Sequence, residues 1–171
     1  MLCATGGFPS IPRRDPRSAR FPDGTKPRLS PYSHRSGAMK VLSYNPELCV
    51  GCHICEEVCA ETWFKTHDLA KSSIVIRDEG AGPLQATFCV QCGECIPVCP
   101  TQAIYRDKQG IVRIRKQLCV GCLSCVGFCP YLAMFYHPDL LEPFKCVACG
   151  QCVKECPADA LAIVEMPTPT P

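Results

Sequence analysis

Hydrophobic residues in this chain occur in short stretches, and in one of these stretches they alternate with basic residues. Across residues 111–115 apolar and basic residues alternate with a period of two, which is typical of a β-strand with one buried face. These residues follow another short apolar stretch, residues 104–106, after a polar turn at residues 107–110, so the pattern predicts a β-hairpin. Residues 74–76 and 161–164 are predicted to form similar short strands.

Cysteine spacing is the second regular feature of the sequence. Sixteen of the seventeen cysteines form four runs with the spacing C-x2-C-x2-C-x3-C. In ferredoxins with this spacing, three cysteines of a run ligate one iron-sulfur cluster and the fourth reaches the neighbouring cluster, so two runs form a two-cluster unit. Only Cys3 lies outside the runs, which are run 1 (Cys49, Cys52, Cys55, Cys59), run 2 (Cys89, Cys92, Cys95, Cys99), run 3 (Cys119, Cys122, Cys125, Cys129) and run 4 (Cys146, Cys149, Cys152, Cys156).

The number of cysteines in the runs matches a whole number of clusters. Sixteen thiolates supply four 4Fe-4S clusters with four ligands each, and none is left over. We therefore predict four 4Fe-4S clusters, with all sixteen cysteines as metal ligands. Zinc ribbons use isolated C-x2-C pairs, and disulfide scaffolds belong to oxidising compartments, so neither explains a third cysteine at the same spacing.

Three of the four runs continue in the same way after their last cysteine, into P-x-x-A followed by an apolar residue. These repeats, at residues 100–104, 130–134 and 157–161, indicate one cluster-binding unit per run, whereas the first run has Ala60 in place of the proline. We predict brief helical turns between the third and fourth cysteines of the runs. The fold class is then α+β, stabilised by bound metal more than by a large apolar core.

Composition divides the chain into three parts. Residues 1–38 contain six arginines, one lysine and two aspartates, a net charge of +5, and many prolines, so we predict a disordered arm or an extension upstream of a natural start at Met39. Residues 39–165 form the predicted four-cluster body, and residues 166–171 a disordered tail. The body has a formal charge of −3 without clusters, which favours redox partners with basic surfaces and disfavours nucleic acid.

Cysteine usage predicts a cytoplasmic location, because cluster assembly needs reduced thiols. The first forty residues contain no apolar segment of a secretory signal, and Arg13 and Arg14 are followed by Asp15 where a twin-arginine signal needs apolar residues. No stretch of about 18 apolar residues is present that could span a membrane. The sequence contains no nucleotide-binding glycine motif and no nucleophile triad, so we expect no catalytic site.

With four complete runs and Ala60 after Cys59, residues 41–165 resemble the four-cluster ferredoxin-like subunits of molybdenum and tungsten oxidoreductases, the dimethyl sulfoxide reductase B-subunit type. In that family, too, the first run lacks the proline. Residues 61–88 are similar to the corresponding stretch in the small subunit of tungsten aldehyde oxidoreductases. The resemblance implies two pseudo-symmetric ferredoxin-like halves with short β-hairpins and short helices, one formed by runs 2 and 3 and the other by runs 1 and 4.

The resemblance also implies which cysteines share a cluster, because the fourth cysteine is exchanged between the two runs of each half. In the half formed by runs 2 and 3, the ligand sets are Cys89, Cys92 and Cys95 with Cys129, and Cys119, Cys122 and Cys125 with Cys99. In the half formed by runs 1 and 4, they are Cys49, Cys52 and Cys55 with Cys156, and Cys146, Cys149 and Cys152 with Cys59.

The function implied by the resemblance is electron transfer in anaerobic metabolism, without catalysis by this chain. Single electrons would pass through the clusters between a catalytic subunit and a second redox partner. The catalytic subunit would belong to a tungsten or molybdenum enzyme, a carbon monoxide dehydrogenase or a hydrogenase. The alternative is a freestanding polyferredoxin, or a cluster-carrying accessory protein, that serves several enzymes. The sequence leaves open the cluster potentials, the direction of electron flow and whether copies of the chain stack into a longer relay.

Overall fold

The elements of the chain are short and are separated by the cysteine-bearing loops. A computed structural model describes residues 38–80 and 82–168, so the predicted arm lies outside the described residues except for Ala38. Within these residues the strands are β1 (Ala38–Tyr44), β2 (Ile74–Arg77), β3 (Gln85–Phe88), β4 (Ile104–Arg106), β5 (Val112–Ile114) and β6 (Leu161–Pro167). The helices are α1 (Ile54–Phe64), α2 (Ser124–Gly127) and α3 (Gln151–Lys154), with 3₁₀ turns at Leu69–Lys71 and Lys116–Leu118.

The strands of the described chain pair into antiparallel sheets of two strands each: β1 with β6, β2 with β3, and β4 with β5. In the predicted hairpin, Ile104 lies opposite Ile114. The strands predicted at residues 74–76 and 161–164 are observed as β2 and β6. The predicted fold class, a small α+β protein with short helices, short antiparallel sheets and repeated ferredoxin-type units, is confirmed.

Strand β6 extends further than the sequence pattern indicates. Met166 and Pro167, which the sequence assigns to the tail, pair with Met39 and Ala38 at the outer end of β1. The physical reason is that β1 continues to Ala38 and offers backbone hydrogen-bonding groups along its whole length. Residues 169–171 of the predicted tail lie outside the described residues.

Helix length differs among the runs. Run 2 forms turns and no helix between its third and fourth cysteines, so the prediction of a helical turn is wrong there. Among the other three runs, the residue after the fourth cysteine explains the difference. Helices α2 and α3 are single turns that end before Pro130 and Pro157, because a proline disfavours helical geometry in the residue before it. In run 1 the small Ala60 has a backbone N–H and no ring, so α1 continues through Cys59 to Phe64. The predicted brief turn is therefore an eleven-residue helix in this run.

The described residues bury two apolar clusters, and each includes cysteines from two runs. The first cluster contains Leu42, Ile74, Ile76 and Leu161, with cysteines of runs 1 and 4. The second contains Ile104, Val112 and Met134, with cysteines of runs 2 and 3. The packing therefore brings runs 1 and 4 together and runs 2 and 3 together, although runs 1 and 4 are far apart in the sequence.

The β4–β5 turn contacts β1, the first strand of the described chain. Gly110 has a φ of +79°, and a Cβ atom there would lie only 2.7 Å from the Cα atom of Met39 in β1. A larger residue could not adopt this position without moving the backbone of β1. The contact joins the part of the protein formed by runs 2 and 3 to the part formed by runs 1 and 4.

Candidate metal centres

The backbone of the four cysteine runs has the same unusual geometry. In every run the residues on both sides of the second cysteine adopt left-handed conformations, with φ between +49° and +94°. Such turns make successive backbone N–H groups converge and form a concavity that suits an anion, as in many iron-sulfur sites. These residues are Gly51 and His53, Gln91 and Gly93, Gly121 and Leu123, and Ala148 and Gly150.

Three cavities are each lined by four cysteines. In every case three of the cysteines come from one run and the fourth is the last cysteine of another run. The cavities, which include space open to solvent, measure about 380, 330 and 360 Å³. Their cysteines are, in this order, Cys146, Cys149 and Cys152 with Cys59; Cys119, Cys122 and Cys125 with Cys99; and Cys49, Cys52 and Cys55 with Cys156.

The remaining four cysteines of the runs are Cys89, Cys92, Cys95 and Cys129. Cys95 and Cys129 pack in the second apolar cluster, and Cys89 is buried. Across the described ranges, no three Cys, His, Asp or Glu side chains converge closely enough to hold a single metal ion. In the three cavities the thiols instead surround a space, and this arrangement fits a multinuclear cluster held at its corners.

Backbone N–H groups donate hydrogen bonds to several of the cysteine sulfurs. The N–H groups of Ala103 and Ala133 each lie 3.3 Å from the Sγ atom of the fourth cysteine in their run, Cys99 and Cys129. In these two runs the contact gives the alanine of the P-x-x-A repeat a physical role, because a buried, small residue lets the backbone approach the sulfur. In run 1, which lacks the repeat, the N–H of Ser73 donates to Cys59 Sγ at 3.3 Å.

Burial strongly affects the protonation of the thiols. It raises the pKa of Cys55, Cys95, Cys146 and Cys152 to about 12, and that of Cys125 to about 11. At neutral pH these groups are therefore protonated without a cluster, and metal binding must displace their protons. Burial also acts on Cys99, but hydrogen bonds from the Thr101 hydroxyl and from backbone N–H groups outweigh it and lower the pKa of this thiol.

Gln91 joins run 2 to run 4, and the sequence analysis did not identify it. Its fully buried side chain donates from Nε2 to the carbonyl oxygen of Cys146 at 2.8 Å. Its Oε1 atom accepts from the N–H of Val112 and from Nζ of Lys145, both at 3.0 Å. A signal was present in the sequence: the other runs have glycine or alanine at this position, and only run 2 has a polar side chain there.

Glu56 is a second buried polar residue that the sequence did not single out. It lies in the first turn of α1, directly after Cys55, and its Oε1 atom accepts from the N–H of Ile76 at 2.6 Å. Its Oε2 atom lies 2.6 Å from Nδ1 of His53. This carboxylate therefore connects α1 to β2 next to Cys55, which lines the cavity with Cys49, Cys52 and Cys156.

The second cysteine of three runs is exposed to solvent. These residues are Cys52, Cys122 and Cys149, whereas the third cysteine of every run is buried. Each of the three cavities thus has one cysteine at the protein surface and one in the interior. The buried third cysteines belong to the two apolar clusters.

Comparison with known families gives three overlapping matches, each described as a 4Fe-4S dicluster domain. They cover residues 48–104, 88–133 and 111–157. The B subunit of polysulfide reductase from Wolinella succinogenes is 32% identical over 147 residues, which covers 75% of this chain and 77% of that protein. This protein belongs to the ferredoxin-like 4Fe-4S electron-transfer subunits of reductases.

A second member of these subunits shows a similar degree of identity. Thiosulfate reductase electron transfer subunit PhsB from Salmonella typhi is 33% identical over 140 residues, which covers 71% of this chain and 73% of that protein. In the solved active site complex BamBC of benzoyl coenzyme A reductase with benzoyl-CoA, one chain is 20% identical. That likeness covers 80% of this chain and 85% of the other, with a TM-score of 0.45, and carries no functional weight.

Membership of these electron-transfer subunits confirms several of the predictions. The relatives are iron-sulfur subunits of reductase complexes and not catalytic subunits, as expected for this chain. The dicluster matches and the sixteen cysteines fit four 4Fe-4S clusters.

Among the described residues, no helix is both long enough and apolar enough to cross a membrane.

Proposed function

We propose that this chain relays single electrons through four 4Fe-4S clusters between a catalytic reductase subunit and a second redox partner. The observation that carries the proposal is the crossed lining of the three cavities, each with three cysteines of one run and the last cysteine of another. Crossing of this kind places two clusters side by side in one unit. Two such units in one chain suit a relay with several steps.

The proposed ligand sets are the four sets implied by the resemblance. The lining of the three cavities supports three of them, and the packing of Cys95 with Cys129 in one apolar cluster supports the fourth. A bound cluster would supply a one-electron acceptor in each set. The residues of the chain would hold the four thiolates apart, donate N–H hydrogen bonds to them and exclude water from the buried side of each site.

An order of the sites follows from the contacts between the runs. Runs 1 and 4 share one apolar cluster, runs 2 and 3 share the other, and Gln91 joins run 4 to run 2. We propose that electrons pass between the sites of runs 1, 4, 2 and 3 in this order, or in the reverse order. The sites of runs 1 and 3 are then the ends of the relay, and each has an exposed cysteine, Cys52 and Cys122.

The type of catalytic partner is proposed from the relatives. Two of them are named as subunits of polysulfide reductase and thiosulfate reductase, so we propose a reductase of an inorganic sulfur compound as the partner. The tungsten aldehyde oxidoreductase, carbon monoxide dehydrogenase and hydrogenase expected from the resemblance stay predictions. Reduced thiols in all four runs support a further proposal, a cytoplasmic location.

Native mass spectrometry of the protein isolated anaerobically from its own source tests the function. We expect a complex of at least two subunits in which this chain holds four 4Fe-4S clusters. A lone chain with four clusters would support the alternative, a freestanding polyferredoxin. A colourless protein with zinc and no acid-labile sulfide would refute both functions.

A further inference from the structure

Lys145 is a buried cation at the junction between the two parts of the protein. Its side chain is only 6% exposed, and Nζ donates to Oε1 of Gln91 and to the carbonyl oxygen of Cys146, both at 3.0 Å. Gln91 belongs to run 2 and Cys146 to run 4. Within residues 38–80 and 82–168, no carboxylate lies within ion-pair distance of this ammonium group.

A buried ammonium group needs a negative counter-charge, because removing it from water is costly and carbonyl oxygens carry only partial charges. Lys145 lines the cavity of Cys59, Cys146, Cys149 and Cys152. Its ammonium group is also close enough to the sulfur atoms of Cys146 and Cys95 to interact electrostatically with both. The groups positioned to supply the counter-charge are thus thiolates of run 4 and run 2.

We propose that Lys145 raises the reduction potentials of the two clusters at this junction, one held by Cys59, Cys146, Cys149 and Cys152, the other by Cys89, Cys92, Cys95 and Cys129. The inference rests on the proposed ligand sets. Reduction brings one electron from a redox partner, so a cluster with its thiolates changes from a charge of about −2 to about −3. A fixed positive charge in a low-dielectric interior stabilises the more negative state.

Within residues 38–80 and 82–168, no similar buried cation lies beside the proposed sites at the two ends of the relay. Of the described side chains that carry a formal charge, the buried ones are Lys145 and Glu56. Glu56 lies beside Cys55 of run 1, and its charge has the opposite sign. The two junction clusters should therefore be reduced more easily than the two end clusters, so that electrons reside in the middle of the relay between transfers.

Gln91 is the residue that positions Lys145. Its Oε1 atom accepts from Nζ, and its Nε2 atom donates to the same carbonyl oxygen of Cys146 that Nζ contacts. The N–H of Val112 also donates to Oε1 and so orients the amide group. This arrangement keeps the ammonium group between run 2 and run 4.

The test is a redox titration of the anaerobically purified full-length protein, followed by electron paramagnetic resonance. Lys145→Gln removes the charge, and its amide can still donate to both carbonyl oxygens. In this variant, the ratio of reduced to oxidised cluster at a fixed potential should fall at least about ten-fold for two clusters. This fall corresponds to a reduction potential lower by about 59 mV for a one-electron couple. The other two clusters should keep their potentials. Lys145→Arg, which preserves the charge, should resemble the wild type.

Lys154→Gln is the matched control, because Lys154 is exposed in α3 of run 4 and solvent and salt screen its charge. Equal potentials in wild type and Lys145→Gln would overturn the inference, and so would equal shifts in Lys145→Gln and Lys154→Gln. Failure of Lys145→Gln to assemble clusters would also overturn it and assign the lysine a role in assembly. Fewer than four 4Fe-4S clusters in the wild type, measured first as iron and sulfide, would instead contradict the proposed function.

Discussion

The side-chain amide of Gln91 donates a hydrogen bond of 2.8 Å to the carbonyl oxygen of Cys146, and thereby connects the second cysteine run to the fourth. The two residues are 55 positions apart in the sequence. Gln91 lies next to the proposed ligand Cys92, and Cys146 is itself a proposed ligand, so this contact connects the two parts of the protein where electrons are proposed to cross. The first prediction concerns its contribution to stability.

Replacing Gln91 with leucine should destabilise the protein by roughly 2–4 kcal/mol, because the N–H of Val112, Nζ of Lys145 and the carbonyl of Cys146 each lose a buried partner. Anaerobic chemical unfolding of the cluster-loaded protein measures the change. Gln117→Leu is the control, since Gln117 is exposed and should change stability by less than about 0.5 kcal/mol. Equal stability of the two variants would show that the junction contributes little.

Replacing Ala60 with proline should destabilise run 1, although proline occupies this position in the other three runs. Ala60 is fully buried within α1, and a proline there removes a helical hydrogen bond and clashes with the preceding turn, at a cost of about 3 kcal/mol or more. Circular dichroism should show a loss of helix, and iron analysis a loss of cluster. The control Glu61→Ala, at an exposed neighbouring position, should retain both the helix and the cluster. A stable Ala60→Pro protein with all its clusters would show that run 1 does not need the long helix α1.

Exchange of the fourth cysteine between runs 2 and 3 can be tested with single serine variants. Cys95→Ser and Cys129→Ser should impair the same cluster, because both residues belong to one proposed ligand set. Electron paramagnetic resonance of the reduced protein should show the same altered signal in both, and Cys119→Ser should alter a different one. Cys3→Ser, outside the four runs, should leave all the signals unchanged. If Cys129→Ser instead matched Cys119→Ser, the fourth cysteine would not be exchanged.

Asp107 should stabilise the β4–β5 turn in a pH-dependent way. Its Oδ1 atom accepts from the N–H groups of Gln109 and Ile111, both at 2.9 Å, and its Oδ2 atom pairs with Arg113. Partial burial acts to raise the pKa of this carboxyl, but these contacts outweigh it and hold the pKa below its ordinary value of 3.8. Because the folded-state pKa is lowered, the stabilisation is complete above about pH 4 and is lost as the pH falls through the folded-state pKa.

Asp107→Asn should therefore cost about 1–2 kcal/mol at pH 7 and progressively less below pH 4. Urea unfolding of wild type and variant, each under the same conditions, measures this difference. Asp78→Asn is the control. Asp78 is exposed, and the hydrogen bond described for its side chain comes from the N–H of Gly80. If the difference in the free energy of unfolding between wild type and Asp107→Asn did not change with pH, the ionised carboxylate of Asp107 would not be what stabilises this turn.

Local patterns explain why much of the fold was predictable. The hairpin around residues 107–110 depends on alternating residues and a polar turn, and the strands β2 and β6 on short apolar stretches, so the sequence indicated them directly. The length of α1 was missed, although Ala60 was noted, because the absence of a proline permits a longer helix without requiring one. The extension of β6 was missed because it depends on pairing with β1, at the other end of the described chain.

Residues near each other in the chain also explain what could be predicted of the sites. By itself, the sequence determined the cofactor class and the sixteen candidate ligands, because cluster-binding loops depend on spacing over eleven residues. Spacing did not determine which runs meet, and the dicluster matches cover runs 1 and 2, runs 2 and 3, and runs 3 and 4. The pairing of run 1 with run 4 was implied only by the family resemblance. Only the tertiary structure brought run 1 against run 4 and placed Gln91 against Lys145, because packing between distant segments decides such contacts.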